Sequence, residues 1–363
     1  MFNKNLIKIT LFSFWIAPML TFTACETRDA EPQPEPISEK FIFKAADLSF
    51  LPDIEASGAV FYNQAGQMED MLTTLKEAGM NAVRIRLWHS PANGISGFEE
   101  VKAFAEKVKD KGLKVWLTVH YSDTWADPGN QQPPAVWDNL EINTLSDSMY
   151  AYTSKIIQQI SPDYIQIGNE INHGMLWPLG NSQNMDNLIQ LLKSGEKAVR
   201  DNSSTCKIIM QYAGTEGAEW FFNTINEIDF DIIGISYYPN WHGKDLVILE
   251  NDLQHLAAVM LKPVMIAETS YPFTFEWNDW TNNVIGGPDK IIPGIPASEA
   301  GQLSFMKEIK RISTSNSQLI GFAYWGGEWI SYKGPQATNG SSFENQAFYD
   351  FNNQALPVIE VFN

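Results

Sequence analysis

The sequence predicts an α/β protein built as a single (β/α)8 barrel, and three observations carry that expectation. Eight short runs are rich in β-branched and aromatic residues, the segments between them show helical apolar periodicity, and no glycine-rich turn follows the first run to mark a dinucleotide-binding sheet. Strict alternation of strand and helix means parallel strands joined by helical crossovers. Eight such units of roughly 40 residues each favour a closed barrel over an open doubly wound sheet.

The chain opens with segments that belong to none of these units. Residues 1–24 place Lys4 and Lys8 before a mainly apolar run from Leu11 to Leu20, then Thr23 and Ala24 ahead of Cys25, which is the layout of an export signal. A cysteine at the cleavage point resembles a bacterial lipoprotein signal, so Cys25 is expected to carry lipid and to begin the mature chain, with an ordinary secretory peptide or a short anchor as the competing reading. Cys206 is then the remaining thiol, and no intrachain disulfide can form. Residues 25–40 continue as ETRDAEPQPEPISEK after the cysteine, rich in proline and carboxylate, and read as a solvated tether. No later segment offers the roughly 20 unbroken apolar residues that span a bilayer. The expectation is therefore a monomer held by lipid at the outer membrane of a Gram-negative bacterium, on its surface or periplasmic face.

Residues 41–363 hold the barrel. The expected strands are Phe43–Phe50, Ala82–Trp88, Lys114–His120, Tyr164–Gly168, Lys207–Tyr212, Asp231–Tyr237, Pro263–Ala267 and Leu319–Trp325. Between the first and second, Met68, Met71, Leu72, Leu75 and Ala78 repeat at helical spacing. Before the fourth, Leu145, Met149, Tyr152, Ile156 and Ile160 do the same. Within the second strand, Val83, Ile85 and Leu87 alternate with Arg84, Arg86 and Trp88; within the third, Val115, Leu117 and Val119 alternate with Trp116, Thr118 and His120.

A formal net charge of -18 argues against a nucleic-acid partner, since phosphate binding relies on clustered Lys and Arg. Twelve Trp and twelve Tyr would suit flat contacts with neutral sugars, although aromatic residues more often build cores. Chemistry is expected where strands hand over to loops at their carboxyl ends. There the fourth strand runs into Gly168-Asn169-Glu170, and the seventh, in PVMIAETSYP, ends on Glu268. Alternation from Gln166 through Gly168 would point Glu170 into the barrel mouth. Two carboxyls brought together at a barrel rim fit glycoside hydrolysis, which needs one protonated and one ionised. On this reading Arg86 keeps Glu268 charged, Glu170 holds the proton, and the Asn169 amide bonds a sugar hydroxyl. Taken singly, His120 reads more often as a satisfied buried histidine than as a catalyst, and Arg84 reads as an interior ion-pair partner. His173 and His242 lack a third zinc ligand at suitable spacing.

The blocks KAADLSFLP, NAVRIRLWHSP, HYSDTWADPGNQ, IQIGNEINHGMLWPLG, IIGISYYPNWHG, IAETSYP and GFAYWGGEWI, spread from Lys44 to Ile330, resemble the successive motifs of glycoside hydrolase family 53, the endo-β-1,4-galactanases. HYSDTWADP and GNEINHGMLWP are the most specific of them. The resemblance implies a TIM barrel of the retaining clan A, with Glu170 as acid/base, Glu268 as nucleophile, and galactan or type I arabinogalactan as substrate. It implies substrate contacts for Arg86, His120 and Asn169 and for Tyr238, with Tyr237 as the competing choice. Trp325 would be the sugar platform, Asp123, Trp125 and Asp127 would shape the cleft, and Trp88 and Trp177 would complete an angled aromatic rim. Where relatives usually continue Trp-Glu-Pro after the eighth strand, this chain has Trp325-Gly326-Gly327-Glu328, which alters the subsites expected there.

No cofactor is implied. A structural calcium held by some bacterial relatives would fall near Asp279, Asn282, Asn283 and Asp289, with a metal-free solvated loop as the competing reading. Two other functions fit parts of the pattern: another clan A β-glycanase such as a mannanase or cellulase, and a non-catalytic glycan-binding surface lipoprotein.

Overall fold

The computed structural model describes Leu11 and residues 41–363. Leu11 apart, the expected signal segment 1–24, the lipidation site Cys25 and the tether 25–40 lie outside the described residues. Residues 41–363 form one compact unit.

Eight strands, β1 (Phe43–Asp47), β2 (Ala82–Leu87), β3 (Lys114–Val119), β4 (Tyr164–Ile167), β5 (Lys207–Ala213), β6 (Ile232–Ser236), β7 (Val264–Glu268) and β8 (Leu319–Tyr324), pair in sequence order into a closed barrel. All pairings are parallel, and β1 completes the ring by pairing Phe43 with Gly321 of β8. That join depends on a missing side chain. Gly321 has φ +109, and a Cβ there would sit 2.0 Å from the Phe43 carbonyl oxygen.

The crossovers carry α1 (Leu51–Ala56) and α2 (Met71–Glu77), α3 (Phe98–Asp110), α4 (Ile142–Ile160), α5 (Met185–Asn202), α6 (Ala218–Thr224), α7 (Pro239–His242) with α8 (Leu246–Met260), and α9 (Glu299–Ile312). Helix α4 shows why these segments coil and dock. Leu145, Met149, Tyr152, Ile156 and Ile160 bury one face, and the helix ends where Ser161 takes left-handed φ 52. Asp70 and Ser298 cap α2 and α9 by accepting from Thr73 N and Gly301 N. Met68, expected on the buried face of α2, precedes the helix and is exposed.

Two cores follow from strand alternation. Val83, Ile85, Leu87, Val115, Leu117, Val119, Ile165 and Ile167 face outward and join the helices in the larger cluster. Phe43, Ala45, Ala82, Trp116, Ile209, Ile232, Met265, Ala267, Ile320 and Ala323, drawn from seven of the strands, fill the barrel interior. Each large side chain so buried contributes about 1.5–3 kcal/mol. Above this apolar plug the interior turns polar. Strand β1 stops at Asp47, three residues short of its expected end, because Phe50 already caps α1 with Pro52 in its first turn. Cys206 is a buried free thiol.

Candidate active site

The polar layer is a chain of hydrogen bonds running around the barrel. Thr118 Oγ1 donates to Gln166 Oε1 at 3.2 Å, Gln166 Nε2 donates to Gln211 Oε1 at 2.5 Å, and Gln211 Nε2 donates to Ser236 Oγ at 3.0 Å and Glu268 Oε1 at 2.8 Å. Glu268, the last residue of β7, is buried and receives two further donors: Arg84 Nη2 at 2.6 Å and the Tyr238 hydroxyl at 2.9 Å. Both its oxygens act only as acceptors, as an ionised carboxylate requires.

Arg84, not Arg86, holds Glu268. It also donates to Asp47 Oδ2 at 2.7 Å and to Asn169 Oδ1 at 2.9 Å. Burial works against the Arg84 charge, but the facing carboxylates of Glu268 and Asp47 hold its guanidinium above the ordinary range. The two arginines share a strand face but differ in depth. Arg84 lies in register with Asp47, whereas Arg86 stands one layer higher. There its guanidinium carbon lies 4.2, 4.4 and 4.1 Å from the ring centres of Phe50, Trp88 and Trp125. Burial in this aromatic cage lowers Arg86 to about 10.

Glu170 reaches the same cleft by a different route from the one alternation suggests. Strand β4 stops at Ile167, Gly168 turns with φ +79, and Glu170 itself takes left-handed φ 48. A Cβ at Gly168 would meet Ile171 Cγ2 at 2.5 Å, so the turn requires glycine. Glu170 N donates to Gln211 Oε1 at 3.2 Å, which fixes the turn to the polar layer. Burial raises the Glu170 carboxyl to about 8, and the charge of Glu268 adds to the effect, against the lowering by Ser236 and Arg84.

Asn169 lies between the two carboxyls' supports. It accepts from Arg84 and donates to the Ala126 carbonyl at 2.8 Å. His120 lines the cleft and accepts from Ala126 N at Nδ1, 3.0 Å, which leaves the proton of a neutral ring on Nε2. Burial, with Arg86 and Arg84 nearby, drives its pKa well down and keeps it neutral. Of the two candidate tyrosines, Tyr238 meets Glu268; Tyr237 turns away and donates to the Gly243 carbonyl at 2.8 Å.

Together these groups line a cleft of about 690 Å³. Trp125, Asp127 and Trp325 border it as expected. Trp88 does not: it is buried beneath Arg86. Trp177 also lies elsewhere, beside a smaller concavity with Gln132 and Asn184, its indole N–H donating to the His173 carbonyl. Asp123 is a loop tie, accepting from Ser90 N and Ala135 N, and is absent from the cleft wall. The expected calcium ligands are divided: Asp279 and Asn283 are buried, while Asn282 and Asp289 are exposed. Asp279 accepts from Thr281 N and Ser331 Oγ, so the four do not assemble as one shell. Among the described residues no cluster of three or more His, Cys, Asp or Glu could hold a metal ion.

Several residues of the site escaped the sequence reading. Asp47 and Gln211 are inward positions on β1 and β5 whose roles depend on which strands become neighbours. Trp241 sits on α7, a single turn too short to show periodicity, and Trp329 and Phe343 come from loops. Glu328, in the segment departing from Trp-Glu-Pro, is buried and accepts from Phe50 N. Burial, with the Asp47 charge, raises its carboxyl to about 8.

The profile of the family described as Glycosyl hydrolase family 53 matches residues 43–362. A Cellvibrio japonicus (strain Ueda107) protein named arabinogalactan endo-beta-1,4-galactanase is 33% identical over 341 residues, covering 88% of this chain and 90% of its own. A Bacillus subtilis (strain 168) endo-beta-1,4-galactanase is 30% identical over 379 residues, covering 90% and 86%. The solved structure of an Ignisphaera aggregans GH53 catalytic domain matches with TM-score 0.84 at 35% identity, over 89% of this chain and 96% of that one.

Proposed function

The chain belongs to glycosyl hydrolase family 53, and from that premise we propose that it is an endo-β-1,4-galactanase that cleaves internal bonds of galactan and type I arabinogalactan with retention of configuration. One observation carries the mechanism: two carboxyls share a cleft in opposed environments. Glu268 is gripped by three donors, while Glu170 is pushed up to about 8 by burial and by the charge of Glu268.

In the first step a Glu268 oxygen attacks the anomeric carbon, the bond to the leaving oxygen breaks, and Glu170 gives that oxygen its proton. The resulting ester removes the negative charge of Glu268, which is one cause of the raised Glu170 pKa. Glu170, now ionised, becomes a stronger acid's conjugate base, suited to its second duty. It takes a proton from water as the water oxygen attacks the anomeric carbon, and Glu268 leaves as carboxylate. His120, kept neutral, and Asn169 are placed to bond hydroxyls of the reacting sugar. No step calls for a metal or cofactor.

Azide rescue tests the two roles. Glu170→Ala should lose galactan hydrolysis yet still react with an activated aryl glycoside, and azide should restore turnover as the β-galactosyl azide. Glu268→Ala should lose both steps. An α-azide from the Glu268 variant, with the Glu170 variant dead, would exchange the roles. Comparable rates on mannan or cellulose with galactan untouched would remove the galactanase reading.

The same proposal places the enzyme outside the cytoplasm, lipidated at Cys25 and standing off the outer membrane on residues 25–40. The signal-like layout of residues 1–25 supports it. Among the described residues, no helix is long and apolar enough to cross a membrane.

A further inference from the structure

Glu170 follows β4 and Glu268 ends β7, so in a ring ordered β1 to β8 the carboxyl pair divides the rim into two unequal arcs. The longer arc, β8 through β3, carries Trp325, Trp329, Phe343, Asp47, Arg86 and His120. Its aromatic rings touch in series: Phe50 on Trp329 at 4.6 Å, Trp329 near Trp125 at 6.5 Å, and Trp325 on Phe343 at 4.5 Å. The shorter arc, β5 and β6, contributes one tryptophan to the cleft, Trp241, beside Tyr238 and His242.

Trp241 is 53% exposed although its base is firmly held. Its backbone N–H donates to the Tyr238 carbonyl at 3.0 Å, and its ring stands edge-on to Tyr238, 5.2 Å between centroids at 83°. Tyr238 in turn holds Glu268. Neighbouring His242 secures the turn from the other side, donating its N–H to the Tyr238 carbonyl and accepting from Tyr238 N at Nδ1. The result is a half-exposed indole fixed to the same tyrosine that positions a reacting carboxylate. Water is a poor partner for such a surface, and a sugar's apolar face is a good one.

We propose that Trp241 is the platform for the leaving half of the substrate, stacking on the sugar immediately beyond the cleaved bond on its reducing-end side. This rests on the glycanase reading above. Two features select that half over the retained one. The reacting sugar needs many polar partners for its hydroxyls, and these lie on the longer arc, so the chain beyond the cleaved bond must continue across the shorter one. The proton donor must also face the leaving oxygen, and the Glu170 carboxyl lies close enough to Ser236 of β6 for the hydroxyl to stabilise its charge. Residue Trp241 follows that same strand.

Removing a platform on the leaving side makes the substrate settle with fewer sugars there, so cleavage moves toward the reducing end. The test uses the full chain and galactopentaose labelled with 18O at its reducing end, with products resolved by mass spectrometry. Trp241→Ala should shift the principal cleavage at least one bond toward the reducing end and lower kcat/KM on galactan about tenfold. It should lower turnover of β-galactobiosyl fluoride, whose leaving group spans no platform, by a much smaller factor than it lowers kcat/KM on galactan. Trp241→Phe should restore most of the original pattern, as an aromatic face requires. An unchanged pattern, or a shift toward the non-reducing end, would overturn the assignment. If the wild type cleaves a different β-1,4-glycan, the galactanase reading fails and the same measurement on that labelled oligosaccharide decides Trp241. If it cleaves none, both fall.

Discussion

At the scale of single residues, two glutamates of the same chemistry are separated by what surrounds them. Glu268 faces donors, whereas Glu170 faces burial and another carboxylate. The activity limb on the alkaline side should therefore follow Glu170: kcat/KM should fall as pH rises through about 8, because the acid is lost. Stability carries the same signature with a definite sign. In the unfolded chain the carboxyl ionises near 4.5, in the folded chain near 8, so folding becomes progressively less favourable between those values and level above them. Glu170→Gln should match the wild type in Tm at pH 4 and exceed it at pH 8. An equal Tm at both would show that the carboxyl is not desolvated in the folded state. Sequence pattern found both glutamates but chose the wrong arginine, because alternation gives the face of a side chain and not its layer. Only the pairing of Asp47 with Arg84 supplies depth. The tyrosine choice was legible in principle: Ser236 faces inward to Gln211, and two residues on stands Tyr238.

At the scale of elements, the eight strands were readable because each is short, apolar and bounded, and each falls within three residues of its expected limits. Extrapolating the pleat beyond a strand was less safe. Beyond Ile167 the backbone at Gly168 and Glu170 has positive φ, so a turn places Glu170, where the strand reading assumed continued alternation. The aromatic loops were illegible for a related reason: Trp177 and Asp123 lie in blocks that resemble the family's, yet neither block states where its loop folds back. Closure of the ring offers a sharper test of an element. Gly321→Ala should destabilise by at least about 1 kcal/mol in urea unfolding, since the added Cβ meets the Phe43 carbonyl in a backbone conformation alanine resists. A neutral effect would mean that β1 and β8 part easily.

At the scale of the molecule, a formal charge of -18 suits a body that keeps away from anionic surfaces. If residues 1–40 serve only export and attachment, residues 41–363 produced alone should hydrolyse soluble galactan at the full rate, while Cys25→Ser in the whole chain should release it from membranes without changing kcat. Lost activity in the short form would show that the leader contributes to the barrel. The ring geometry also sets an order in time. Arg84 meets Asp47, 37 residues away, and Glu268, 184 residues away, so its contacts bracket most of the barrel. Helices can form early from local sequence, but such long-range pairings form slowly, and β1 has no partner at its open edge until β8 has been made. A ribosome-bound chain therefore cannot hold Glu268 against Arg84 until β7 has been made, and competence arrives with the final strand.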